Sequence, residues 1–287
     1  MNVRPVLLLT STALCCATAM AADKQPVTAT PTVWQEPLTG MRFVALPKGC
    51  FQMGTPKPVL PKADFIWSHL GYTGNLASDE APRHEVCVDA FWIGQHEVQA
   101  DEWRKVMGQA PRSGSGTEPA AGFTWEEAKV FVKRLGELSG NAQQFKLATE
   151  AQWEYACRAG DNANPQRRMG QKIEGAWFSA GSGADIQQTL RPQAVGQLPA
   201  NRWGLHDMLG NVWEWTEDGY RADAYARHTL FNPVTPPSGS ATGERVIRGA
   251  SHRSEYLQVR CAARGSLSAV EALPQIGLRL LRVPGVR

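Results

Sequence analysis

Helical periodicity is confined to two stretches of this 287-residue chain, and that scarcity bounds its fold more tightly than any other feature. Thr124 followed by Glu127 makes a capping box, and Ala128, Phe131, Val132 and Leu135 then recur at helical spacing before Gly140. Thr149 with Gln152 opens a second helix that places Trp153 and Ala156 for burial and ends at Gly160. At that spacing Trp153 reads as a core residue rather than a ligand-stacking group. The other two-thirds of the chain lacks helical periodicity and is rich in Gly, Pro and Trp. Met41 to Leu46, with the Pro47-Lys48-Gly49 turn after it, reads as a strand, as do Val86-Cys87-Val88 and Phe91-Trp92-Ile93. Residues 54–82 form a long Pro- and Gly-punctuated loop whose Trp67 and Tyr72 either cover a binding surface or make a satellite core. The expectation is an α+β domain with little regular secondary structure, its loops supplying much of the surface.

The N-terminus sets the compartment. Arg4 precedes an apolar run from Val6 to Cys16, and Ala19-Met20-Ala21 fits a signal peptidase site before Ala22. The run is too short to span a bilayer and no stop-transfer segment follows it, so a periplasmic protein without a membrane anchor is expected. Leu14 and Cys15 are bulkier than the small residue that lipoprotein processing at Cys15 or Cys16 needs. The expected organisation is a signal peptide over 1–21, an extension over 22–39 and a domain over 40–287. Losing Arg4 with the leader lowers the formal net charge from +3 to +2, a balance that argues against nucleic-acid partners. Four cysteines remain, Cys50, Cys87, Cys157 and Cys261. In an oxidising compartment they favour two bridges, for which three pairings exist.

Five segments, in order, resemble the formylglycine-generating enzyme (sulfatase-modifying factor) family. They are Gly49-Cys50-Phe51-Gln52-Met53-Gly54; Asp89-Ala90-Phe91-Trp92-Ile93-Gly94 with Glu97-Val98; Leu147 to Ala156; Gly204 to Trp215; and Arg245-Val246-Ile247-Arg248-Gly249. The most specific are Thr149-Glu150-Ala151-Gln152-Trp153-Glu154 and Gly210-Asn211-Val212-Trp213-Glu214-Trp215. The resemblance implies a single irregular domain related to C-type lectins. It also implies a Cys157–Cys261 disulfide tying the second helix to the C-terminal core, since Tyr155-Ala156-Cys157-Arg158 and Arg260-Cys261-Ala262-Ala263-Arg264 match its two halves. Cys50 and Cys87 are then left to each other, in short strand segments that would lie side by side.

Oxidase members of the family bind copper through two thiolates just after an Arg-x-x-x-Gly-Gly-Ser motif. This chain departs from the pattern there: Ala250 replaces the second glycine, the first cysteine has no counterpart and Tyr256 falls at the second. A copper-dithiolate route to formylglycine is therefore not expected, because a soft metal needs thiolates. The residues present instead are His252, able to exchange protons; Glu255, a base or partner for a substrate cation; Tyr256, a donor or stacking group; and Arg260 and Arg264, able to hold a carboxylate. Their structural alternatives are a capped turn, a solvated carboxylate, a space-filling ring and buried ion pairs. The resemblance further implies structural calcium at Asp207, Gly210, Val212 and Glu214, two carboxylates and two backbone carbonyls that suit a hard cation. A second family calcium site, near 177–197, is not recognisable in Trp177-Phe178-Ser179-Ala180-Gly181. Related sulfoxide synthases carry a His-x-x-x-His-x-Glu iron motif that has no match here; His84 and His96 are too far apart.

Two functions are compatible with these features. One is a periplasmic maturation enzyme, an oxidoreductase of unassigned redox cofactor acting on a peptide or peptide-derived small molecule. Exported family members that complete the chromophore of pyoverdine-type siderophores set the precedent. The other is a non-catalytic, lectin-like binding or envelope-assembly module. The ionisable stretch from His252 to Tyr256 favours the first.

Overall fold

A computed structural model describes residues 30–56, 78–140, 143–161, 173–179, 191–237, 239–240 and 242–284. The leader, Trp67 and Tyr72 lie outside the described residues.

Five antiparallel strands make the larger sheet: β1 (Val33–Gln35), β2 (Arg42–Leu46), β5 (Phe91–Gly94), β13 (Leu280–Pro284) and β6 (Gln143–Leu147), in that spatial order. Strand β1 comes from the segment expected to be an extension, and its Trp34 packs against Phe43 of β2 at 5.7 Å. A hairpin of β3 (Gly49–Met53) and β4 (His84–Val88) stands beside it, with Cys50 opposite Cys87. A two-stranded parallel pair joins β7 (Ala176–Trp177) to β8 (Leu209–Gly210). The last sheet, in the order β11-β10-β9-β12, uses β9 (Trp213–Gly219), β10 (Glu244–Arg248), β11 (Arg264–Ser268) and β12 (Ile276–Leu278), with β12 parallel to β9.

Among the described residues three α-helices connect these sheets: α1 (Ala100–Met107), α2 (Trp125–Leu138) and α3 (Glu150–Arg158). The two expected capping boxes form. Thr124 Oγ1 accepts from the Glu127 N–H at 3.2 Å while Glu127 Oε2 accepts from the Thr124 N–H at 2.8 Å, and Thr149 with Gln152 does the same at 3.2 and 3.1 Å. Helix α1 lies in the part of the chain read as lacking helical periodicity. Its cap is Gln99, outside the residue types usually found at that position, with Glu102 accepting from the Gln99 N–H at 2.8 Å. Trp103 of α1 then stacks on Phe123 at 4.2 Å and on Phe131 of α2 at 4.9 Å, joining the two helices in one core.

Both expected disulfides are present. Cys50–Cys87 pins the β3–β4 hairpin and Cys157–Cys261 ties α3 to the segment before β11. Trp153 is buried in the core as expected, and its indole N–H is satisfied by Glu214 Oε2 at 2.6 Å.

Candidate functional site

Strand β10 ends at Arg248 and hands over to Gly249 (φ +99°) and Ala250 (φ +68°). Ala250 thus stands in the left-handed region, where the family's glycine carries no Cβ penalty, so this chain holds backbone strain at the entrance to its candidate site. The turn that follows is closed by the Ser254 N–H donating to the Ser251 carbonyl at 2.9 Å and the Ser251 N–H donating to Ser254 Oγ at 2.9 Å.

His252 lies in that turn with only 3% of its surface exposed. Its backbone N–H and its Nδ1 both reach the Asn211 carbonyl at 2.8 Å. A carbonyl only accepts, so Nδ1 carries the proton and Nε2 presents a lone pair that no described residue engages. Burial lowers the pKa of the ring below the usual histidine value, which keeps it neutral at pH 7. Glu255 is half-buried at the head of a short 3-10 turn, where its N–H donates to Gln258 Oε1 at 3.1 Å. Tyr256 is buried against Phe178, ring centroids 6.1 Å apart, and belongs to the core. His252, Glu255 and Tyr256 are therefore brought onto one turn beside the Asp207–Glu214 loop.

The two arginines are placed differently. Arg260 donates to both oxygens of Glu80, at 2.8 and 2.6 Å, and to the Leu257 carbonyl at 2.7 Å. Arg264 donates to both oxygens of Glu150, at 2.7 and 3.0 Å, and packs over the Tyr225 ring. Both guanidinium groups are committed to carboxylates of the same chain. Arg264 belongs through Glu150 and Arg248 to a buried ionic hub in which Glu154 accepts from Arg158 at 2.6 Å, from Arg248 at 2.5 Å and from the Gly54 N–H at 2.9 Å, whereas the Arg260–Glu80 pair stands apart from it. This hub and the Cys157–Cys261 bridge fix α3 against β10, which aims the Ser251–Ser254 turn.

The Asp207–Glu214 loop is built from unusual backbone: Asp207 (φ +53°), Gly210 (φ +82°) and Asn211 (φ +60°). At Gly210 a Cβ would come within 2.0 Å of the Trp177 carbonyl, so glycine is required. Asp207 Oδ2 accepts from the Gly196 N–H at 2.7 Å, whereas Oδ1 is buried without a hydrogen-bond partner. Glu214 accepts from Trp153 and from Arg279, whose Nη2 lies at 2.8 Å. A third carboxylate, Glu97, is fully buried beside them, accepting from Asn211 Nδ2 at 2.8 Å and from the Val212 N–H at 3.2 Å. Burial pushes the Glu97 carboxyl well above its ordinary range, and the Asp207 and Glu214 carboxylates add to the shift. Three buried carboxylates thus face one guanidinium, that of Arg279, and one of their oxygens is orphaned. A hard cation fits both features. Among the described residues no group of three His, Cys, Asp or Glu side chains is placed to hold a metal by itself, so backbone carbonyls must complete any such site.

Glu97 and Arg279 are central to this loop and were not singled out as site residues from sequence. Glu97 follows a family segment, and Arg279 sits in Gly277-Leu278-Arg279, but neither carries a local signal of its long-range partner. The four cysteines Cys50, Cys87, Cys157 and Cys261 are all consumed in disulfides and present no thiolate.

Comparison with known proteins agrees with this picture. The sulfatase-modifying factor enzyme 1-like domain matches residues 29–284. The formylglycine-generating enzyme of Mus musculus is 26% identical over 309 residues, covering 85% of this chain and 75% of the relative. That of Mycobacterium tuberculosis is 30% identical over 206 residues, 63% of each chain. Among solved structures, PvdO from Pseudomonas aeruginosa superposes with a TM-score of 0.71 at 22% identity, covering 88% of this chain and 99% of that one. Treponema denticola variable protein 1 superposes at 0.64 and 20% identity, covering 90% and 100%.

Proposed function

The chain belongs to the sulfatase-modifying factor enzyme 1-like domain family, and from that premise we propose that it is a periplasmic maturation enzyme acting on a peptide-derived small molecule at the Ser251–Gln258 turn. The observation that carries the reading is His252: a neutral imidazole, its tautomer fixed by the Asn211 carbonyl, with Nε2 left to accept a proton. Glu255, half-buried three residues on, is the carboxylate able to balance a substrate cation. Tyr256 fills the space against Phe178 and shapes the floor of the turn. Arg260 and Arg264 act at a distance, holding the frame through Glu80 and Glu150.

The finer reading is oxidation of a pyoverdine-type siderophore precursor. It is supported by the likeness of fold to PvdO from Pseudomonas aeruginosa, and the N-terminal apolar run ending in Ala19-Met20-Ala21 is in keeping with export. His252 Nε2 is the group placed to take a proton from the substrate, whichever oxidant receives the electrons. Structural calcium belongs to the same proposal, held by Asp207 Oδ1, the Glu214 carboxylate and the carbonyls of Gly210 and Val212. The cation would balance the surplus carboxylates and stiffen the loop whose Asn211 carbonyl orients His252.

Metabolite profiling of a deletion strain and of strains complemented with the wild type, Glu255→Gln or His252→Ala tests the reading. Accumulation of an immature peptide-derived precursor is expected in the deletion strain and in both variants. Unchanged metabolites in the deletion strain, or full rescue by both variants, would remove the enzyme reading in favour of a binding module.

A further inference from the structure

After β9 the chain forms a cleft of about 360 Å³ that shares no residue with the Ser251–Gln258 turn. It is lined by Tyr220, held by its hydroxyl donating to Asp79 Oδ2 at 2.9 Å, and by the stretch Pro233 to Pro237. The described residues that line it include Arg221, Arg227 and His228 but no carboxylate. Both arginines lean on one acid, Asp223, from Arg221 Nε at 3.1 Å and from Arg227 Nε at 2.7 Å, and both are exposed. Two guanidinium groups sharing one carboxylate leave a positive charge at the rim, available to an anion.

The cleft also has an oriented acceptor. His84 Nδ1 lies 2.9 Å from the Pro82 carbonyl, which only accepts, so that nitrogen carries the proton. His228 Nδ1, 3.1 Å from His84 Nε2, then donates to it. His228 lines the cleft, and among the described residues its Nε2 lone pair meets Thr235 Oγ1 at 3.4 Å, a long bond that a better-placed donor can replace. Burial pushes His228 down to about 4, so the ring stays neutral at pH 7 and the acceptor persists.

An acceptor, an apolar proline wall and a rim cation in one cleft match the three parts of a C-terminal amino-acid residue. We propose that the cleft is a second binding site, for the C-terminus of a short peptide ending in an apolar side chain. The last main-chain N–H donates to His228 Nε2, the carboxylate meets Arg221 and Arg227, and the side chain rests against Pro233, Val234 and Pro236. A bare oxyanion such as sulfate satisfies the arginines alone, with no donor for His228 and no apolar part for the walls. The volume lies at the small end of ligand pockets, which fits a terminus of a few residues rather than an extended chain.

Titration calorimetry on the full chain tests this with N-acetyl-Gly-Leu as the free acid, the same dipeptide as its C-terminal amide, and sulfate. The acid is expected to saturate the protein, and the amide and sulfate to bind at least about tenfold more weakly. Arg221→Ala with Arg227→Ala, both at exposed positions, should weaken the acid by at least about tenfold. His228→Phe should weaken acid and amide alike. Nitrogen NMR of the labelled imidazoles gives an independent readout if that variant folds poorly: adding the acid should shift His228 Nε2. Equal affinity for acid and amide, an unchanged affinity in the double arginine variant, an undisturbed His228 Nε2 signal, or no saturation by the acid would each overturn the proposal. None of these measurements requires turnover, so the result stands apart from the fate of the His252 reading.

Discussion

Replacing Arg279 with Met isolates the charge balance of the Asp207–Glu214 loop. The Arg279 side chain is fully buried, and methionine keeps an apolar stem while removing every donor. Lost with the guanidinium are the bonds to Glu214 Oε1 from Nη2 at 2.8 Å and from Nε at 3.0 Å, the bond to the Gly94 carbonyl at 3.0 Å, and those to the His206 and Asp207 carbonyls at 3.0 and 3.3 Å. Trp153 Nε1 remains on Glu214, so the carboxylate keeps one donor. Removing one partner of a buried pair costs about 3–5 kcal/mol, because the other charge stays buried. The three abandoned carbonyls push the loss toward the upper end of that range. A domain with a stability of about 5–15 kcal/mol would lose a large part of it. The source of the loss makes a second, sharper statement. In the Arg279→Met background, Glu214→Gln removes the stranded charge and should restore at least about 1 kcal/mol, whereas in the wild type the same change should destabilise. Equilibrium urea unfolding followed by tryptophan fluorescence, with the slopes compared, reads both effects. A single variant that loses less than about 1 kcal/mol, or a double variant no more stable than Arg279→Met, would refute the assignment of this arginine as the counter-charge.

Other perturbations follow from the same structure. Burial lifts the Glu102 carboxyl to about 7 from an ordinary value of 4.5; the folded state thus holds a proton the unfolded state has lost, and the contribution of this group falls as pH rises from 4.5 to 7. Glu102→Gln should therefore gain on the wild type by up to about 3 kcal/mol across that window, and parallel stability curves for the two proteins would contradict it. The disulfide loops span separations of 37 and 104 residues and do not overlap, so Cys50→Ala with Cys87→Ala and Cys157→Ala with Cys261→Ala should cost up to about 3.8 and 4.7 kcal/mol respectively in the loop-entropy account. The larger loss should fall on the second pair, and non-reducing peptide maps that join Cys50 to Cys157 or Cys261 would refute the pairing. Calcium at a hundredfold excess over its dissociation constant should stabilise the wild type by about 2.7 kcal/mol relative to chelator, and Asp207→Asn should abolish most of that gain; identical melting of the wild type with calcium and with chelator would count against the site.

How much of this was legible in sequence depended on the reach of each interaction. The capping boxes at Thr124 and Thr149 were readable because both partners lie within three residues. Helix α1 was not, since Gln99 gives no usual cap signal and the helix covers only 8 residues. The Cys50–Cys87 bridge was supported by local strand character around both cysteines, the Cys157–Cys261 bridge by a family likeness spanning 104 residues. Sequence named Arg260 and Arg264 for the site, but their carboxylates, Glu80 and Glu150, stand 180 and 114 positions away. The same holds for His252: its anchor, the Asn211 carbonyl, is 41 residues upstream and is a backbone atom, about which a side-chain pattern says nothing.

The position of β13 constrains how the chain can be made. Its residues, 280–284, lie between β5 and β6, bonded to Ile93 and Trp92 on one side and to residues 143–147 on the other. A polypeptide that emerges amino end first can form the β3–β4 hairpin early, yet it carries two bare strand edges until residue 284 is free. Unpaired edges invite pairing with other chains. The large sheet closes only once residues 280–284 have been released, so a product cut short before Leu280 leaves both edges open to chaperones and proteases.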